Sequence, residues 1–99
     1  MDYKFVMRKA EKAYRALIDC VRLALEEDNV EFAVICGLPL VKMGEAEGGD
    51  YVYEYPYVNE AMELGKEVVE QAEKEGVPSW LRDHVEEIRR ILREQGYED

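Results

Sequence analysis

From Tyr3 to about Asp28, apolar residues recur at alternating spacings of four and three, through Tyr3, Met7, Ala10, Tyr14, Leu17, Val21 and Ala24. That rhythm is one face of an α-helix, with Asp2 placed to cap its first turn. The apolar arc is wider than a single stripe. Val6, Ala13, Cys20 and Leu25 flank it, and Phe5, Ala16 and Leu23 carry it further round the cylinder. A surface helix ordinarily shows one apolar side and one polar side, so this one needs neighbours on several flanks. At 1.5 Å per residue it is a rod of about 39 Å, whereas a domain of this length has a radius of gyration near ~13 Å. The mismatch predicts a homodimer in which the first helix contributes to the interface.

The next segments read differently. Val30-Glu-Phe-Ala-Val-Ile-Cys36 is rich in β-branched and aromatic residues and alternates in part, which predicts a mostly buried strand interrupted by Gly37-Leu38-Pro39. Leu40 to Glu47 and Asp50 to Tyr57 are two further extended runs around Gly48-Gly49, a pair that suits both positions of a hairpin turn. In that register Ala46 faces Tyr51 and Gly44 faces Tyr53. Asn59 is the expected cap of a second helix with the stripe Val58, Ala61, Met62, Gly65, Val68, Val69 and Ala72, stopped by Gly76 and Pro78. Ser79 is the expected cap of a third, with core positions Leu81, Val85, Ile88 and Leu92 and a stop at Gly96. The predicted fold is therefore α+β, a single domain over residues 1–99: a long N-terminal helix, a small antiparallel sheet with a Gly-Gly hairpin, and two shorter C-terminal helices.

Charge narrows the range of functions. The chain has 99 residues with 23 Asp plus Glu against 13 Lys plus Arg, a formal charge of −10. Apolar residues make up 47%, enough to offset the ordering entropy of a folded domain despite that charge. The longest uncharged stretch, Phe32 to Val41, is about half of what a membrane span needs and contains Gly37 and Pro39. The first residues lack the pattern of a secretory signal, so an intracellular protein is expected. Threonine is absent and Ser79 is the single serine, so nearly all polar positions carry full charges. This skew fits a very hot environment, where ion-pair networks keep their value. Cys20 and Cys36 form no zinc or redox motif. They are reduced core thiols in an ordinary cytosol and a disulfide candidate in a hyperthermophile; the thiol reading is preferred because free cysteine is readily buried.

No phosphate-binding glycine loop, zinc-protease motif or nucleophile elbow is present, and no catalytic residue, metal ligand or cofactor is expected. Ser79 is explained as a helix cap. His84, the single histidine, has Glu87 one turn on, but on so charged a helix an ion-paired face accounts for the spacing. Two surfaces remain as candidates. Tyr51, Tyr53, Tyr55 and Tyr57 line one side of the predicted strand, and together with Tyr3, Met7 and Tyr14 they offer a place for a protein partner, since buried tyrosine rings cover large areas while their hydroxyls stay wet. Lys4, Arg8, Lys12, Arg15 and Arg22 fall on one side of the first helix and are the alternative, a contact with nucleic acid. Residues 1–29 are neutral and the remainder carries the whole negative excess, which disfavours general attraction to phosphate. A variant of that alternative is an acidic, Tyr-bearing surface that imitates DNA.

The stretches Met1-Asp-Tyr-Lys-Phe-Val6 and Gly48-Gly-Asp-Tyr-Val-Tyr-Glu-Tyr55, with the threonine-free and charge-dense make-up of the whole chain, resemble a family of small proteins from filamentous and rod-shaped viruses of archaea in hot acidic springs. The resemblance implies a stable viral accessory protein inside the host cell, with an unfamiliar fold, no assigned activity and no site residues. Protein interaction or assembly is accordingly the expected role.

Overall fold

The computed structural model describes residues 3–47 and 57–98, with side chains from Arg8 to Ala46 and from Tyr57 onward. Helix α1 spans Tyr3–Glu26, α2 Val30–Glu47, α3 Tyr57–Glu75 and α4 Arg82–Glu94, with a single 3₁₀ turn at Ser79–Leu81 between the last two. Among the described residues there is no strand. The molecule is a helical bundle, and the α+β expectation is corrected.

The error lies in α2. The predicted strand over 30–36, its interruption at 37–39 and the run from Leu40 to Glu47 form one continuous helix with Pro39 inside it. Its buried residues are Ala33, Val34, Gly37, Leu40, Val41 and Gly44, which recur at three and four as a helix face requires. Proline removes a backbone donor and crowds the carbonyl four residues back, yet Pro39 lies on the exposed side, where solvent reaches the strained turn. Helical burial wins because α2 is the centre of the bundle, in contact with α1, α3, α4 and the 3₁₀ turn. The Gly-Gly hairpin and Tyr51, Tyr53 and Tyr55 lie outside the described residues.

Antiparallel α2 and α3 approach closely because glycines face large residues across the seam. A Cβ on Gly65 would lie 2.6 Å from Val41 Cγ1, and one on Gly44 2.6 Å from Met62 Cε. Helix α4 closes the bundle with Val85, Ile88, Ile91 and Leu92, and Ile88 reaches Gly37 and Gly65. On α1 the inward residues are Tyr14, Ile18, Val21 and Ala24. The molecule measures 43 × 27 × 20 Å with a radius of gyration of 13.4 Å, and α1, about 36 Å long, is shorter than its longest dimension.

The connections correct two caps and reveal a third. α1 ends at Glu26; Asp28 takes a left-handed φ of 55°, and the Asn29 N–H donates to the Ala24 carbonyl at 2.8 Å. Asn29 Oδ1 then accepts the Phe32 N–H at 3.1 Å, the side-chain cap of α2. α3 begins at Tyr57, so Asn59 is inside it, and its side-chain oxygen accepts the Tyr97 hydroxyl at 2.7 Å instead of capping. Ser79 opens the 3₁₀ turn and makes no side-chain cap for it. Gly76 and Gly96, with φ of 80° and 81°, stand where the third and fourth helices stop.

Cys20 and Cys36 are joined by a disulfide, with Cα atoms 6.4 Å apart. The preferred thiol reading is thus replaced by the alternative. The bond staples α1 to α2 across their shared outer side.

Candidate protein-interaction face

Half of α1 faces away from the core. At 100° per residue, Ala13, Ala16, Cys20 and Leu23 follow one another along the edge of α1 next to α2; the alanines and Leu23 are exposed and Cys20 is half-buried. On α2 the outward residues at the matching spacing are Phe32, Ile35, Cys36, Pro39 and Met43. The two rows lie side by side, joined by the disulfide. Leu23 is 59% exposed, Phe32 55% and Ile35 39%. Near the interhelical turn Cys20, Leu23, Ala24, Glu27, Asn29 and Phe32 surround an open depression of about 240 Å³. The α2 row from Phe32 to Pro39 carries no charged residue, and exposed Asp19 borders the α1 row beside Cys20. Glu27 borders the depression, while Asp28 accepts a hydrogen bond from Gln71 of α3 at 3.3 Å.

The residues singled out from the sequence are distributed differently. Tyr14 is fully buried, stacked on Tyr57 at 6.0 Å between ring centroids, and belongs to the core instead of to a contact surface. Tyr3, Met7 and Lys4 lie in the first turns of α1, where side chains are outside the described set, and Tyr51, Tyr53 and Tyr55 lie outside the described residues altogether. Tyr57, expected at the end of the tyrosine strand, begins α3. Its hydroxyl donates to Glu11 at 3.2 Å and accepts from Arg15 Nε at 2.9 Å.

Arg8, Lys9, Glu11, Lys12 and Arg15 do line a common depression of about 250 Å³ on the other exposed side of α1. Its cations are partly committed. Arg15 pairs with Glu11 at 3.0 Å as well as with Tyr57, and hydrogen bonding to Tyr57 raises its already high pKa. Arg22, further along the helix, pairs with Glu60 of α3. On α4, Arg90 gathers Glu87, Glu94 at 2.7 Å and Glu45 at 3.3 Å, tying the end of α2 to α4. Glu87 is therefore bonded to Arg90, while His84 packs edge-on against Trp80 at 6.4 Å. Among the described residues no group of three or more His, Cys, Asp or Glu is placed to hold a metal ion. No helix among them is long and apolar enough to cross a membrane.

Sequence reasoning missed the α2 half of the face. The signal was present as Phe32, Ile35 and Pro39, at spacings of three and four behind Asn29, but reading 30–36 as a strand divided these residues between opposite sides of a sheet. The chain matches no protein-family model, no curated protein and no solved structure.

Proposed function

We propose that the protein is an interaction or assembly module without enzymatic activity, and that its working surface is the largely apolar face of the α1–α2 pair. The supporting observation is the gathering of Leu23, Phe32 and Ile35, each large and more than a third exposed, around the disulfide that fixes the two helices together. Isolated exposed apolar residues are ordinary, but contiguous apolar patches on soluble chains mark contacts with other molecules. A surface meant for water would carry Lys or Glu at these positions, as the rest of this chain does almost everywhere. The viral accessory role implied by the resemblance suits such a module, for it needs a partner and no chemistry of its own.

The competing reading, nucleic acid along Arg8, Lys12, Arg15 and Arg22, receives less support, because two of its cations already have carboxylate partners and the molecule carries ten excess negative charges. Two assays separate them. Immobilised protein should capture its partner from host extract, lose the capture on Phe32→Glu, and keep it on Glu70→Lys, an exposed change on α3. Labelled DNA or RNA should run unretarded at moderate salt. Retardation that weakens with salt and disappears on reversing Arg8 and Arg15 would replace the proposal with the nucleic-acid reading, and capture indifferent to Phe32→Glu would move the working surface elsewhere.

A further inference from the structure

We infer that the Cys20–Cys36 bond is a redox latch on α1. Intact, it keeps α1 seated on the bundle; reduced by a dithiol, it lets α1 open as a unit while α2, α3 and α4 keep their packing. The four helices are not equivalent. Helices α2, α3 and α4 each touch both of the others, whereas among the described residues α1 rests on α2 and α3 and its backbone does not approach α4. The closest contacts follow the same division. Gly37 lies against Val68 and Ile88, Gly44 against Met62, and Gly65 against Val41, Ile88 and Leu92, so each of these positions interlocks members of the last three helices. Helix α1 supplies Tyr14, Ile18, Val21 and Ala24 to the core, and the larger part of it comes from the rest of the chain. Its ion pair to α3, Arg22 with Glu60, is exposed, and exposed pairs contribute little.

Position and access suit the bond to this task. It joins the outer sides of α1 and α2 across a sequence separation of 16, around the turn at 27–29, where left-handed Asp28 with φ of 55° is the hinge. Cys20 and Cys36 are both half-buried. Cys20 also forms part of the wall of the open depression of about 240 Å³ beside Leu23 and Phe32, which gives a small dithiol a way to its sulfur. A thiolate of the reductant attacks Cys20 Sγ, a mixed disulfide forms, and Cys36 leaves as a thiolate. The second thiol of the reductant then displaces Cys20 and closes the reductant to a disulfide. Two electrons have passed from the dithiol to the bond, and its two protons end on Cys20 and Cys36. With the loop no longer closed, the helix with the fewest buried contacts is the unit that opens first. Release parts the α1 row from the α2 row. That consequence for the contact face rests on the interaction reading, whereas the latch stands on the packing of the helices alone.

Amide hydrogen exchange on the intact chain, with and without dithiothreitol, tests this. In the oxidised protein the amides of residues 14–25 should be protected alongside those of the other helices. In the reduced protein they should exchange on the order of a hundredfold faster, the size expected when a loop of this length is freed, while amides around Val41, Val68 and Ile88 stay better protected than those of α1. The double variant Cys20→Ser, Cys36→Ser should show the reduced pattern without reductant and be indifferent to its addition. Protection lost from all four helices together, on reduction or in the double variant, overturns the latch, because the bond then holds the whole fold. Exchange of α1 that is the same in both redox states overturns it too, as does a bond that dithiothreitol reduces only after the chain is denatured. Partner capture is scored separately: capture by the oxidised chain that ignores Phe32→Glu removes the interaction reading and leaves the exchange result to judge the latch.

Discussion

Helices α2 and α4 share the same core and present opposite sequence patterns. On α4 the buried residues Val85, Ile88, Ile91 and Leu92 occupy one side, and Arg82, Asp83, Glu86, Arg90 and Arg93 stand exposed on the other. On α2 the inner residues Ala33, Val34, Leu40 and Val41 are apolar, and so are Phe32, Ile35 and Pro39 on the outside. A helix with neighbours on one side and water on the other announces its period. A central helix has apolar residues wherever a neighbour stands, so its period is hidden, and its apolar outer side is the surface proposed above for a partner. The element hardest to read is thus the one that bears the proposed contact surface.

The comparison can be broken at its two sides. Leu40 and Leu92 are both fully buried, one on each helix; replacing either by Ala should cost about 2 to 5 kcal/mol in urea unfolding. Phe32→Ala, measured dilute enough to keep the chain monomeric, should cost no more than ~0.5 kcal/mol, as for a surface change. If Phe32→Ala matched Leu40→Ala under those conditions, the outer side of α2 would be part of the fold and not a contact surface. Next in size is the staple that α2 has and α4 lacks. The disulfide spans a sequence separation of 16 residues, and constraint of a loop that size is worth about 3 kcal/mol in the chain-entropy account. Replacing Cys20 and Cys36 by Ser together should lower the unfolding free energy by about that amount, and chemical reduction of wild type should do the same.

The seam between α2 and α3 gives a smaller and more discriminating pair. Alanine at Gly65 would meet Val41 Cγ1, held close to a rigid branch point, whereas alanine at Gly44 would meet the terminal methyl of Met62, which can swing away. Gly65→Ala should destabilise by about 1 to 2 kcal/mol. Gly44→Ala should come out near neutral, the displaced methionine being offset by the ~1 kcal/mol helix preference of alanine over glycine. A double-mutant cycle with Val41→Ala sharpens this: the smaller residue should relieve Gly65→Ala and leave Gly44→Ala unchanged.

What could be read in advance follows the same division. The extent of α1, the α3 stripe from Val58 to Ala72, the core positions of α4 and the stops at Gly76 and Gly96 each agree with the structure to within a few residues, α3 and α4 because each has one wet side. The sheet was an error of local preference: Val30, Phe32, Val34 and Ile35 favour strands in isolation, and tertiary burial against three other helices overrode them. The caps at Asn59 and Ser79 were misplaced because Asn59 lies inside α3 and Ser79 is itself the first residue of the 3₁₀ turn, after Pro78. Asn29, a true cap, was passed over because no helix was expected behind it. At the candidate face the α1 half was legible, since Ala13, Ala16, Cys20 and Leu23 widened the apolar arc beyond what one neighbour needs. The α2 half was hidden by the strand reading, and Tyr14 was assigned to a surface because a ring on a stripe looks the same from the sequence whether the stripe meets a partner or the chain's own core.

The smallest expected effect concerns the wet side of α4, the feature that made it readable. Hydrogen bonding from Arg90 holds the Glu87 carboxyl below its ordinary value of 4.5. Because the folded value is depressed, the contact favours the native state above the unfolded pKa and stops doing so as pH falls through the folded one. Glu87→Gln should therefore melt slightly below wild type at neutral pH, and the gap should close as acid protonates the wild-type carboxyl. Both groups are well exposed, so the difference is small and shrinks with added salt. A gap that widened in acid would assign the depressed carboxyl to another residue. A gap larger than that from Leu40→Ala would mean that α4 is held by its charges, reversing the contrast with α2.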